Sequence, residues 1–161
     1  MQTITELLIS IALGGIGGCL AMDIWQRIVY AATGNPPSNW AMVGRWFYYT
    51  ATEFRLFQHD IEDKPAISYE LKLGWIAHYL VGGAYAVVYL VISRNGWLDY
   101  TITDGLIFGG LSVVVPWFFF LPAMGKGIMA RNTPAPFKIC LLALLTHLVF
   151  GLGVSAGLAV A

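Results

Sequence analysis

Four apolar stretches, about residues 6–30, 72–92, 101–121 and 137–160, constrain this chain more than any other feature, because each is long enough to cross a bilayer as a helix. A hydrocarbon core about 30 Å thick takes roughly 20 helical residues. A helix also satisfies its own backbone hydrogen bonds where no water can do so. Composition agrees: the 161 residues are 58% hydrophobic and 11% charged, with a mean hydropathy of +0.69. The chain belongs in lipid, as one membrane domain over residues 1–161. Formal charge is zero and the pI near 6.8, so the basic excess of a nucleic-acid binder is missing and no nucleic-acid partner is expected.

Turn signals separate the spans. Asn95-Gly96 breaks the chain after the second, and Thr133-Pro134-Ala135-Pro136 stops the third from running into the fourth. Short connections make the later helices antiparallel neighbours, so the expected fold is all-α, a polytopic up-and-down bundle of four transmembrane helices. The first ten residues carry Glu6 but no Lys or Arg, unlike the positive start of a secretory signal. Ile16-Gly17-Gly18-Cys19 faintly resembles a lipoprotein cleavage box, but apolar sequence continues to Ile24 and predicts a retained span. Cys19 and Cys140 fall at different depths and read as small packing residues, not a disulfide.

Basic residues set the orientation. Arg27, Arg45, Arg55, Lys64 and Lys72 flank or occupy the first connection, Lys126, Arg131 and Lys138 the third, and Arg94 alone lies on the other side. Lys and Arg are retained on the cytoplasmic face, which predicts both termini outside the cytoplasm. The long loop, about residues 31–71, is then cytoplasmic. Within it Asn35-Pro36-Pro37 ends the first helix, Ser38 or Asn39 offers a cap, and Trp40, Val43, Phe47, Thr50 and Phe54 recur at helical spacing. This predicts an amphipathic helix at the interface, either lying among the lipid headgroups or packed on the cytoplasmic mouth of the bundle.

The halves of the chain share features. Gly17-Gly18 precedes Trp25 by the interval at which Gly109-Gly110 precedes Trp117, and the second and fourth spans each carry His-x-x-x-Gly, at His78–Gly82 and His147–Gly151. Such a repeat would relate the halves by an axis along the membrane normal and set the two histidines facing each other. Gly14 and Gly18, Gly82 and Ala86, Gly105 and Gly109, and Gly153 and Gly157 stand four apart, which suits close helix packing within the chain or in a homo-oligomer.

Ionisable groups inside spans are functional-site candidates by default. Rises of about 1.5 Å per residue put His78 and His147 roughly 9 and 15 Å from the cytoplasmic ends and Asp23 about 10 Å deep. Asp23 and Arg27 are four apart and share a helix face. The expected ligand or ion site is Asp23, Arg27, His78 and His147, beneath the helix that carries Arg45. Binding or moving a small ligand or ion is the favoured reading. Beside it stand a membrane redox enzyme with haem or metal on the two histidines, which the unequal depths disfavour, and a structural subunit whose histidines only bond neighbouring helices. No cofactor and no catalytic residue is assigned. His59, Asp60 and Asp63 concentrate metal-ligand types in the loop, although a solvated acidic turn explains them more simply. Pro116 predicts a kink in the third span, and Pro122, Gly125 and Gly127 a bent exit from it.

Together, Met22-Asp23-x-Trp25, Gly44-Arg45-Trp46, His59, Gly74-Trp75-x-x-His78-Tyr79, Pro122-x-x-Gly125-x-Gly127, Thr133-Pro134-x-Pro136 and Thr146-His147-x-x-Phe150-Gly151 resemble an uncharacterised family of bacterial integral membrane proteins. The likeness runs from about Ala21 to Gly153. It implies a multi-pass protein of the bacterial inner membrane and no particular activity. Glu53-Phe54-Arg55 departs from the glycine-containing turn of that pattern just before His59, so the resemblance says least about His59.

Overall fold

The computed structural model describes residues 3–161 and contains no strand among them. Its helices are α1 (Ile4–Thr33), α2 (Trp40–Glu53), α3 (Glu70–Arg94), α4 (Ile102–Ser112), α5 (Leu121–Ala123) and α6 (Pro136–Ala159). A π-helical turn, Pro116–Phe120, precedes α5, and a 3-10 turn, Ile128–Ala130, follows it. The segments Ile4–Thr33, Glu70–Arg94, Ile102–Ala123 and Pro136–Ala159 are long and apolar enough to cross a membrane. This is a four-span membrane protein with one further helix in its first loop.

Local chemistry explains the boundaries. Thr3 and Glu6 form a capping box, with the Thr3 N–H donating to Glu6 Oε2 at 2.7 Å and the Glu6 N–H to Thr3 Oγ1 at 3.2 Å. That uses the one charge near the start of α1. The helix runs unbroken through Cys19 and ends at Gly34, whose left-handed φ of 71° lets its N–H reach the Tyr30 carbonyl. Asn39, one of the two expected caps, accepts from the Met42 N–H at 3.1 Å to start α2.

The backbone divides into two compact units. The first holds the residues up to Pro37 together with Tyr79–Ser112 and Leu145–Ala161. In it α1 meets α3 at Gly14–Ala86 and Cys19–Gly82, and meets α6 at Gly14–Leu158 and Gly18–Phe150. Likewise α4 meets α6 at Gly105–Ser155 and Gly109–Leu148, and meets α3 at Phe108–Tyr85 and Phe108–Tyr89. Rising numbers face falling numbers at the α1 and α4–α6 seams, as in an up-and-down four-helix bundle. Polarity is inverted relative to a soluble bundle. Ile9, Leu13, Ile16, Leu20, Ile24 and Ile28 of α1 are exposed, while Ser10, Asp23 and Gln26 of the same helix are buried.

Glycine sets how closely these helices approach. A Cβ on Gly15 would lie 2.8 Å from Gly83 Cα, one on Gly18 2.7 Å from Phe150 Cε2, and one on Gly157 2.9 Å from Gly14 Cα. The small-residue faces that suited either internal packing or a homo-oligomer are therefore occupied inside this unit. In both halves the glycine of His-x-x-x-Gly sits against a glycine carbonyl of the preceding span, Gly82 on Gly15 and Gly151 on Gly105.

The second unit holds Ser38–His78 and Val113–Leu144. Here α2 runs against the first turns of α3, where a Cβ on Gly44 would lie 2.6 Å from the Gly74 nitrogen and one on Gly74 2.6 Å from the Trp40 carbonyl carbon. Trp46 fills the centre with Ile61 and Ala123, and Phe119 and Phe120 pack edge-on against its ring. Of the expected α2 stripe, Phe47 packs in this cluster and Trp40 against Trp75 and His78, while Phe54 is 96% exposed; Trp46, which fills the centre, lies off that stripe. The loop that follows is tied down by Trp46 Nε1 donating to the Leu56 carbonyl (2.9 Å), Tyr49 Oη to the Pro65 carbonyl (3.0 Å) and the Gln58 N–H to the Ala123 carbonyl (2.7 Å).

Candidate functional site

Within the first unit, α1 turns Cys19, Asp23 and Gln26 inward on one face. Asp23 is only 6% exposed, and its Oδ2 accepts from Tyr79 Oη of α3 at 3.4 Å. Gly82 leaves the space that the Cys19 sulfur fills one turn away. Trp25 Nε1, two residues from Asp23, is buried and has no hydrogen-bond partner among the described residues. Arg27, one turn beyond Asp23, is exposed.

His147, on α6 of the same unit, stands in a second polar group. Its Nδ1 lies 2.8 Å from Ser112 Oγ, which also lies 2.8 Å from the Gly109 carbonyl. A serine hydroxyl has one proton. If it goes to the Gly109 carbonyl, His147 carries its own proton on Nδ1 and donates to the serine. Tyr85 and Phe150 pack around the imidazole at ring-centroid distances of 6.3 and 5.9 Å. The close approach that brings His147 to Ser112 depends on Gly109, where a Cβ would meet Leu148 Cα at 2.9 Å.

Ser112 also explains Tyr85. Pro116 stands four residues after Ser112 and has no N–H for its carbonyl. Tyr85 Oη supplies the missing donor at 3.2 Å. The kink expected from Pro116 takes the form of the π-helical turn, closed by the Leu121 N–H bonding the Pro116 carbonyl.

In the second unit, His78 is 6% exposed and lies in an indole setting, stacked on Trp40 at 4.0 Å and edge-on to Trp75 at 5.7 Å. Both imidazoles thus pack against aromatic rings, and His147 also bonds the Ser112 hydroxyl. Arg45 holds Glu70 with two donors, Nε to Oε2 at 2.8 Å and Nη2 to Oε1 at 3.1 Å, while Nη1 donates to the Lys64 carbonyl at 3.1 Å. The bond to Glu70 holds the Arg45 pKa above its ordinary value. All three nitrogens of Arg45 are engaged in fastening the loop to α3. Glu53 accepts from Lys64 Nζ, which pulls its carboxyl below the usual carboxylate range.

The five expected site residues divide between the units, with Asp23, Arg27 and His147 in the first and Arg45 and His78 in the second. Among the described residues no three His, Cys, Asp or Glu side chains converge as a metal site would require, and His59, Asp60 and Asp63 form no such group. The His59 ring lies 6.2 Å from that of Phe57, and its backbone lies close to Gly125. A Cβ on Gly125, where φ is +78°, would lie 3.1 Å from His59 Cα. Sequence reasoning quoted Tyr79 only as part of a motif and missed Gln26, Glu70 and the Ser112–Tyr85 pair. Only the last left a readable signal, a serine four residues before a proline in a span.

No curated protein and no solved structure matched the chain. The family described as "Protein of unknown function (DUF2938)" matches residues 11–161, almost the whole length and every span described above. The motifs quoted from Asp23 to His147 all fall inside that match. The protein is a member of the DUF2938 family of unknown function.

Proposed function

We propose that this protein sits in a bacterial inner membrane with both termini periplasmic, and that it binds or moves a small ligand or ion at Asp23. Asp23 itself carries the reading: a carboxylate turned inward from an apolar helix and 6% exposed. A carboxylate in lipid costs several kcal/mol unless it takes a proton, a cation or a cationic group, and such residues mark pathways and binding sites. Tyr79 Oη donates to the carboxylate. His147 with Ser112 provides a second group able to exchange a proton. Arg27 stands one turn from Asp23 on the same helix, and in the other unit Arg45 holds the first loop. Eight basic residues at the first and third connections against Arg94 alone support the orientation.

Proteoliposomes test the proposal, with pyranine reporting protons and radiolabelled sodium reporting the simplest cation. Flux is expected in the wild type, lost in Asp23→Asn and reduced in Tyr79→Phe, with far-UV circular dichroism unchanged. Equal flux in wild type, Asp23→Asn and protein-free vesicles, with native mass spectrometry finding no small molecule retained by either protein, refutes it.

A further inference from the structure

The second unit carries large apolar side chains outward at two loop ends. After α2 the chain reads Phe54-Arg55-Leu56-Phe57; Phe54 is 96% exposed, and Leu56 and Phe57 are open as well. After α5, Ile128 and Met129 are exposed, followed by Arg131, and Phe137 and Lys138 are exposed in the first turn of α6. Both places contain non-glycine residues in left-handed backbone, Phe54 at φ 52° and Met129 at φ 51°. Glycine or asparagine takes that conformation with less strain, so large apolar residues there point to a use for the side chains.

Backbone ties set the height of both loop ends. The Gln58 N–H bonds the carbonyl of Ala123, the last residue of a span, and the Leu56 carbonyl accepts from Trp46, which packs on Phe119 and Phe120 of that span. The Met129 carbonyl accepts from Cys140 Sγ at 3.2 Å, in the second turn of α6. Apolar groups fastened level with the ends of spans stand where hydrocarbon gives way to headgroups.

The charges there have one sign to spare. This unit contains seven Lys and Arg against five Asp and Glu. Arg45–Glu70, Lys64–Glu53 and Lys126–Glu62 are paired. That leaves Arg55, Lys72, Arg131 and Lys138 against Asp60 and Asp63. Arg55, Arg131 and Lys138 adjoin the exposed apolar residues and make no ion pair among the described residues.

From the strained apolar ends, their fixed height and the unspent cations, we infer that Phe54–Phe57 and Ile128–Arg131 with Phe137 and Lys138 form a seat for anionic phospholipid. The apolar side chains enter the acyl boundary of the leaflet that the spans cross, and Arg55, Arg131 and Lys138 hold lipid phosphates. The seat does not depend on the Asp23 reading.

Native mass spectrometry of the full chain, delipidated in detergent and offered phosphatidylglycerol and phosphatidylcholine in equal amounts, tests it. The expected preference for phosphatidylglycerol is at least about fivefold, the attraction of a single basic group to an anionic surface. In R55Q/R131Q/K138Q it falls to within about twofold. Nitroxide labels at Phe54→Cys and Met129→Cys, in separate proteins reconstituted in bilayers, are expected to relax more with oxygen than with a water-soluble nickel chelate. No preference in the wild type, an unchanged preference in the triple variant, labels more accessible to nickel than to oxygen, or a lipid-free dimer that buries both labels would each overturn the seat. The label measurement stands on single substitutions and decides the matter even where the triple variant does not fold.

Discussion

Replacing Gly151 with alanine should destabilise the bundle far more than the same change at Gly110, although both are glycines in apolar spans. A Cβ on Gly151 would lie 2.6 Å from the Gly109 nitrogen and 2.7 Å from its Cα, and closer still to the Gly105 carbonyl oxygen. Carbon atoms settle near about 3.5 Å, so α4 and α6 would have to separate by at least about 0.8 Å, and further to clear the Gly105 oxygen. These are backbone atoms and cannot rotate away as a side chain can. Overpacking costs about 1–3 kcal/mol, and the upper end applies because the same shift loosens Gly109 from Leu148 and His147 from Ser112. Alanine returns about 1 kcal/mol through its better helix propensity. The net loss is about 2 kcal/mol, roughly thirtyfold in the folding equilibrium. At Gly110 the nearest atom to an added Cβ is Leu148 Cδ2 at 3.6 Å, an ordinary contact, so alanine there should be neutral or stabilise by up to about 1 kcal/mol. Reversible unfolding in mixed micelles of rising dodecyl sulfate fraction, followed by circular dichroism, measures both. Gly151→Ala as stable as wild type, or Gly110→Ala as damaging as Gly151→Ala, would refute the account of glycine crossings.

Three further outcomes follow from particular bonds. Tyr85→Phe orphans the Ser112 carbonyl that Pro116 leaves without a donor and should cost about 1–3 kcal/mol in the same unfolding assay. Pro116→Ala restores an N–H at that position, so a double-mutant cycle should find the cost of Tyr85→Phe reduced in its presence; strict additivity would argue against the pairing. Arg45→Lys cannot hold both Glu70 oxygens and the Lys64 carbonyl, so it should loosen residues 64–70, seen as faster amide exchange there than in wild type. Glu53 titrates below the ordinary 4.5 because Lys64 bonds its charged form, so its contribution is complete above that value and is lost as pH falls below it. Amide exchange across residues 53–64 should therefore quicken as pH drops from 4.5, after correction for intrinsic rates, and Glu53→Gln should remove that dependence.

Much of the fold was legible because lipid imposes simple demands. Spans expected near residues 6–30 and 72–92 appear as Ile4–Thr33 and Glu70–Arg94, each extended by capping or flanking polar residues that hydropathy does not count. Asn39 was readable as a cap, and Pro116 as a disturbance in the third span. The polar groups were legible only as single residues. Asp23, His78 and His147 stand out by type in apolar sequence, yet Tyr79 and Ser112 do not, since tyrosine and serine are ordinary in spans. Glu70 was hidden at the edge of a span, where nothing ties a carboxylate to an arginine 25 residues earlier.

Sequence alone determined that this chain lives in a membrane and how many times it crosses. Those properties come from lengths and hydropathy along one dimension. Tertiary structure decided which polar groups share a neighbourhood: Asp23 with Tyr79, Ser112 with His147 and Tyr85, His78 with Trp40 and Trp75. It also decided that the glycines meet one another inside the bundle and that His59 offers its backbone to Gly125. The physical reason is the same in each case: packing between helices depends on the rotation and depth of each one, which close backbone contacts fix to a fraction of an ångström and which a hydrophobic pattern leaves free.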